Sequence, residues 1–383
     1  MPPYRPRSAP RFRSLAPGEA RLVLAGVFFT FAPIGFLMHL VAATPGHWLS
    51  GIVAAVISGV ISIGWAYTFM ARRWWLLALV VPFQFAPWEM FRGLHALGLF
   101  EEATALSPGA TRLFYAAASL VCIVIGYILV IRFTRSVERR GERLRAEVDA
   151  AARIHRALVP PIEFSRDSIQ VYGRSQASSE MGGDLLDAVD ENGRLGVYLA
   201  DVSGHGVGAG VVMAMVKAAI RMRLREDSPI DSLLNDLNAV VGDVTSPEMF
   251  VTFACLRFRG ATMHRVVEIG LAGHLPILHY AAASRQVRDL PNDRLPLGIV
   301  ADETYIAQVE QCAPGDVFAL YTDGITETMD ASSRQFGIDR LRAALARLGS
   351  RPLHEIHAEM LREVASHGPQ TDDRTLALIR VLA

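Results

Sequence analysis

Aspartates flanked by small residues recur at four separated points of this 383-residue chain. Met181-Gly182-Gly183-Asp184 sets one acid behind a glycine pair, at the start of an alternating run. Ala200-Asp201-Val202-Ser203-Gly204-His205-Gly206 sets another at the end of the apolar run 195–200. Tyr321-Thr322-Asp323-Gly324 repeats the pattern after residues 317–320, and Thr371-Asp372-Asp373 precedes the last apolar run. Glycine lets backbone approach an ion or a phosphate closely. Hard divalent cations such as magnesium and manganese take carboxylate, carbonyl and water oxygens. Two such ions about 4 Å apart hold a phosphoryl group and activate a water against it. The bland alternative stays open for each motif alone, because Asp-Gly is also an ordinary turn.

Other chemistry-bearing residues say less. His354 and His357 are spaced as HxxH, but Glu355-Ile356 between them lacks the HExxH order. They fall on an amphipathic helical pattern, where a surface position is expected. His205 and His274 each adjoin glycine and could touch a substrate, with structural hydrogen bonding as the simpler expectation. Cys122, Cys255 and Cys312 lie far apart without CxxC or Cys/His spacing, so buried thiols are expected rather than a zinc site or a disulfide framework.

The acids need elements to carry them to strand ends. After Pro161 the pattern predicts strands over 168–173, 184–189, 194–200, 249–258, 264–271, 316–322 and 375–381. It predicts helices over 208–225, 230–244, 338–348 and 353–365. Strands in runs and helices in pairs point to an α+β class of layered fold rather than a strictly alternating parallel sheet.

The chain before residue 132 has a different solvent. Overall 51% of residues are hydrophobic, and the excess collects in apolar runs over 22–43, 48–70, 74–91 and 113–131. About 20 mainly apolar residues cross a hydrocarbon core. The third run is short, carries Pro82 and Pro87, and ends near Glu89. Arg5, Arg7, Arg11, Arg13 and Arg21 precede the first run, Arg72 and Arg73 separate the second and third, and Arg132, Arg135, Arg139 and Arg140 follow the fourth. Positive loops stay inside. The expectation is four spans with both termini in the cytoplasm, and a first run too long, and followed by too many others, for a cleaved leader. Trp48, Trp74, Trp75 and Trp88 lie near run ends as interfacial aromatics do.

Residues 132–161 connect the two regions. Val137, Leu144, Val148, Ala151 and Leu158 fit a seven-residue repeat, with Gly141 and His155 as weak members. That spacing suits a short parallel coiled coil joining two chains as a homodimer, and equally a surface helix packed on the following domain. Pro160 and Pro161 end the helix. With 38 basic and 38 acidic residues the formal charge is zero, and no basic helix carries stacking aromatics, so nothing points to nucleic acid.

Taken together, the motifs of residues 151–383 resemble the PPM-type protein serine/threonine phosphatases, in the branch typified by RsbU and SpoIIE. The matching segments run in the family's order: Ala152-Arg153-Ile154 with Leu158-Val159-Pro160; Gly182-Gly183-Asp184 with Asp187; the Ala200 to Gly206 run; Phe250-Val251-Thr252; Ala272-Gly273-His274 with Pro276; Pro296-Leu297-Gly298; Gly315-Asp316 with Leu320-Tyr321-Thr322-Asp323-Gly324; and Asp372-Asp373 with Thr375-Leu376. His155 stands where the family often has Gln, and Met181 where Val is usual. The resemblance implies an α-β-β-α sandwich with a two-metal centre of manganese or magnesium between the sheets. Carried over by motif, Asp201 bridges the ions with help from the Val202 carbonyl, Asp184 holds one ion, and Asp323 and Asp372 hold the other. Asp201 and Asp323 then carry catalysis through a metal-activated water, and Asp373 stands where many relatives have Asn.

The implied substrate is a phosphoserine or phosphothreonine on a STAS-domain anti-sigma-factor antagonist in bacterial partner switching, met from the inner (cytoplasmic) membrane. The rival reading is a membrane receptor scaffold whose phosphatase-like domain binds a partner without turnover, and the full set of acids argues against it. A sensor kinase would need a nucleotide-binding block after His155, and none follows.

Overall fold

The computed structural model describes residues 17–41, 48–83, 107–166, 168–179, 181–191, 194–204, 206–226, 228–245, 248–259 and 266–382. The chain forms two compact units, Met1–Arg145 and Ala146–Ala383.

The first unit is helical: α1 (Pro17–Phe31), α2 (Pro33–Val41), α3 (Trp48–Ala71), α4 (Leu77–Phe83) and the start of α5 (Pro108–Leu158). Among the described residues, three stretches are long and apolar enough to cross a membrane, Gly18–Met38, Leu49–Ala71 and Gly109–Leu158. They coincide with the first, second and fourth predicted runs. Of the third, a 3-10 turn over Trp74–Leu76 and α4 with Pro82 inside are seen. Its residues 84–91, Glu89 among them, lie outside the described residues. The fourth run and the connector are one continuous 51-residue helix that Gly141 does not interrupt.

In the second unit, α5 ends at Leu158 before Pro160 and Pro161. Lys217 donates from Nζ to the Leu158 carbonyl at 2.5 Å, placing a cation at the helix C-terminus, where the dipole favours one. Among the described residues eleven strands follow, all antiparallel in their pairings: β1 (Ile162–Arg166), β2 (Ile169–Gln176), β3 (Leu185–Glu191), β4 (Arg194–Val202), β5 (Val251–Arg259), β6 (Val266–Ala272), β7 (Ile277–Ala281), β8 (Gln286–Leu290), β9 (Gln308–Gln311), β10 (Val317–Tyr321) and β11 (Arg374–Val381). They make a six-stranded sheet ordered β1-β2-β11-β10-β7-β8 and a five-stranded sheet ordered β3-β4-β5-β6-β9. Helices α6 (Val207–Arg223) and α7 (Ile230–Val244) pack on the five-stranded sheet, and α9 (Ile338–Leu348) and α10 (Leu353–His367) on the six-stranded one. A single turn, α8 (Asp323–Thr326), follows β10.

Side-chain alternation explains the layers. Along β10, Phe318 and Leu320 join the core between the sheets, whereas Val317, Ala319 and Tyr321 join the core under α9 and α10. Along β11, Ala377, Ile379 and Val381 face one way and Leu376 and Leu378 the other. A strand buried on both faces reads as a continuous apolar run, as both of these do. The architecture is the α+β, α-β-β-α sandwich that the sequence led us to expect.

One expectation is corrected. His354 is exposed, but His357 is 5% exposed, with its ring edge-on to Tyr172 at 5.1 Å. Burial, with Arg174 nearby, lowers its pKa to about 4, so it is a neutral core residue. The 3.6-residue helical repeat sets His357 with Leu353, Ile356 and Met360 on the buried stripe of α10.

Candidate metal centre

Each predicted acid ends or begins an element, and the topology gathers all four. Asp184 immediately precedes β3, Asp201 is the penultimate residue of β4, Asp323 opens α8 after β10, and Asp372 lies two residues before β11. β3 and β4 are neighbours in one sheet, and β10 and β11 in the other. The two antiparallel pairs therefore bring their acidic ends together across the sandwich.

Electrostatics record the convergence. Burial, followed by the charges of Asp323, Asp372 and Asp373, pushes the Asp201 carboxyl up to about 7, and the Asp184 carboxyl lies within hydrogen-bonding reach. Burial and then Asp201 hold Asp184 well above the usual carboxylate range. Asp323 is raised by burial, Asp372 and Glu327. Carboxylates this close need either shared protons or cations to coexist.

Among the described residues, no three His, Cys, Asp or Glu side chains converge closely enough to enclose one ion. Magnesium-like ions use one or two carboxylates each and complete their shells with water, so a site spread over four aspartates suits them. The oxygen-only donors, with mutually raised carboxyls, fit hard divalent cations.

The two adjacent acids of the last motif have different positions. Asp373 is buried, and its carboxylate accepts from Ser178 N at 2.7 Å, Ser178 Oγ at 2.9 Å and Gly183 N at 2.8 Å. It straps the segment before Asp184 to the start of β11. Asp372 is exposed, with Oδ1 accepting the Asp373 N–H at 2.8 Å. The strap also explains the glycine pair: a Cβ on Gly182 would lie 2.3 Å from Asp373 Oδ2, and one on Gly183 would lie 3.0 Å from the Val202 carbonyl oxygen. Gly182→Ala is expected to push the Asp373 carboxylate off its three donors. The cost is on the order of 2 kcal/mol, the penalty of a buried acceptor left unpaired. Calorimetry of the full chain should show a lower melting temperature for the domain, and an unchanged one would contradict the strap.

Other residues of the matching motifs have structural roles. Asp187 accepts from Arg221 at 2.7 and 2.8 Å and pairs with Lys217 at 3.3 Å, tying β3 to α6. His274 uses both ring nitrogens, toward Thr252 Oγ1 at 2.8 Å and the Tyr321 carbonyl at 3.1 Å. Burial lowers its pKa to about 4, so it is a neutral brace between β5 and the end of β10. His205 lies outside the described residues. Of the cysteines, Cys255 is fully buried, and burial pushes its thiol up to about 12. Sequence reasoning missed Thr322 and Thr375, whose hydroxyls reach Asp184, and Glu327, whose charge acts on Asp323. The available signal was a hydroxyl residue within three positions of each second-sheet acid.

Comparison with known proteins agrees with this geometry. Residues 191–382 match the family model described as Stage II sporulation protein E (SpoIIE), which takes in Asp201, Asp323 and Asp372. Phosphoserine phosphatase RsbU of Bacillus subtilis (strain 168) is 25% identical over 214 residues, 56% of this chain and 63% of RsbU. Protein IcfG of Synechocystis is 20% identical over 227 residues, 52% of this chain and 36% of IcfG. The chain thus spans less than two thirds of either relative. Among solved structures, the SiaA-PP2C domain of Pseudomonas aeruginosa has a TM-score of 0.54 at 19% identity, over 63% of this chain and 98% of that domain. The RsbU and RsbW domains of Rv1364c from Mycobacterium tuberculosis have a TM-score of 0.51 at 24% identity, over 59% of this chain and 62% of theirs. These likenesses are of fold. With a family match over half its length, resting on a sandwich that gathers the motif acids, the chain belongs to the SpoIIE family.

Proposed function

We propose that this chain is a membrane-anchored, metal-dependent protein serine/threonine phosphatase. The observation that carries the reading is the gathering of Asp184, Asp201, Asp323 and Asp372 at facing strand ends, where burial and neighbouring carboxylates raise the first three and call for cations. When bound, two manganese or magnesium ions supply the positive charge that draws in a phosphoryl group and activates a water. Asp201, whose carboxyl feels Asp323, Asp372 and Asp373, would serve both ions, assisted by the Val202 carbonyl. Asp184 would hold the first ion, and Asp323 and Asp372 the second. Asp372 is favoured over Asp373 because the Asp373 carboxylate is already committed to three donors. The substrate is a phosphoserine or phosphothreonine on a STAS-domain anti-sigma-factor antagonist, by analogy with RsbU, whose name gives phosphoserine phosphatase. The purified full chain should release phosphate from a generic aryl phosphate and from such a phosphoprotein when manganese is supplied. Binding of the phosphoprotein without release would favour the scaffold reading instead.

The membrane part of the reading rests on three helices of sufficient length and apolarity and on the arginine distribution. The protein sits in the bacterial inner membrane with four spans, and its N terminus and phosphatase domain face the cytoplasm. Reporter fusions at Gly46 and Ser107 should report the outside, and fusions at Arg73 and the C terminus the cytoplasm. An external signal at Arg73 would overturn the span count. The connector within α5 is also the place where two chains would pair as a homodimer.

A further inference from the structure

Asp184 is 2% exposed, and Oδ2 of its carboxylate is met by two hydroxyls, Thr322 Oγ1 at 2.9 Å and Thr375 Oγ1 at 2.5 Å. Neither threonine belongs to the sheet that Asp184 leads into. Thr322 directly follows β10 and Thr375 lies in β11, neighbouring strands of the six-stranded sheet.

With Asp184 ionised, as a bound cation would hold it, counting protons fixes the direction of the network. An ionised carboxylate only accepts, and each hydroxyl has one proton to give. Thr375 Oγ1 gives its proton to Asp184, so at 2.7 Å it accepts one from Ser175 Oγ. Thr322 Oγ1 gives its proton to Asp184 and accepts the Thr375 N–H at 3.0 Å. The Thr322 N–H in turn donates to the Thr375 carbonyl at 3.1 Å. Two strand ends that grip each other therefore grip Asp184, and both hydroxyls converge on Oδ2, while the Asp201 carboxyl lies within hydrogen-bonding reach of the same group. The same strand ends carry the second ion's acids: Thr322 adjoins Asp323, and Thr375 is three residues from Asp372.

We propose that Thr322 and Thr375 are positioning residues for the cation held by Asp184, so that one sheet of the sandwich aims a metal ligand borne by the other. This rests on the metal-centre reading above. It adds that the affinity of the first ion depends on hydroxyls among the second ion's ligands, and that anything separating the two strand ends from Asp184 releases that ion.

The test is manganese affinity, read from free manganese by electron paramagnetic resonance on the full chain, with folding followed by circular dichroism. Outer partners of metal ligands typically set about 10- to 100-fold in affinity. Thr322→Val and Thr375→Val, close in shape but without the hydroxyl, should each weaken manganese binding by about 10-fold or more. Thr322→Ser and Thr375→Ser, which restore the donor, should return to within about 3-fold of wild type. A merely structural role predicts the opposite ranking, because serine loses the methyl and valine keeps it. If Thr375→Val does not fold, Thr322→Val, outside the middle of a strand, carries the same decision. Wild-type affinity in a folded valine variant, or serine variants as weak as the valine ones, overturns the clamp alone. A wild-type chain that takes up no manganese overturns the metal centre and the clamp with it.

Discussion

Asp201→Asn is expected to lower manganese-dependent phosphate release by at least ~10³-fold, on the order of 4 kcal/mol of transition-state stabilisation, while leaving the fold intact. Asp201 is the acid on which four others act: its carboxyl is raised by burial and by Asp323, Asp372 and Asp373, and it lies within hydrogen-bonding reach of Asp184. Asparagine keeps the shape and one oxygen but removes the charge that would hold two cations side by side. It also relieves repulsion in the metal-free protein, so the melting temperature should stay level or rise. Loss of activity together with loss of fold would assign Asp201 to packing, and retained activity at saturating manganese would remove it from the centre.

The second large effect is on stability against pH. An ordinary aspartate titrates near ~3.9, whereas Asp201 is pushed up to about 7 in the folded protein. A carboxyl that holds its proton more tightly when folded favours the fold below its unfolded value, and that support is lost as pH rises through the folded value. Between pH 5.5 and 8 the metal-free chain should therefore lose roughly 2 kcal/mol from this group, a fall of about 5 °C in melting temperature for a domain of this size. Asp184 and Asp323, raised for the same reason, act in the same direction. Manganese should reverse the trend, because above pH 7 it neutralises the carboxylates that no longer hold protons. Thermal melts at the two pH values, with chelator and with manganese, check this. An equal melting temperature at both pH values in chelator would mean that the acids do not repel one another.

What the sequence made legible follows from what is local. An aspartate at the end of an apolar strand, next to glycine, can be read from a short window, and so all four acids were found at strand ends. The helices 208–225, 230–244, 338–348 and 353–365 were equally readable, because each carries an apolar stripe at helical spacing. Strands β1, β7, β8 and β9 were not anticipated, being four or five residues long without the unbroken apolar run that marks the equally short β10. The sheet order was hidden too. β11 inserts between β2 and β10, pairing Thr375 with Ser175 two hundred positions away, and no local pattern encodes that. The threonine clamp on Asp184 exists only because of this insertion. The burial of His357 was missed for a related reason, since its place on the stripe is visible only once the phase of α10 against the sheet is known.

Manganese occupancy and phosphate release, followed together on one preparation of the full chain, test the central claim most directly. Equilibrium dialysis should count two manganese ions per chain. Phosphate release from a phosphoseryl STAS-domain protein should rise with occupancy, stop when the ions are chelated, and return when manganese is restored. Release that continues undiminished in chelator, or two bound ions with no release from any phosphoserine substrate, would contradict it.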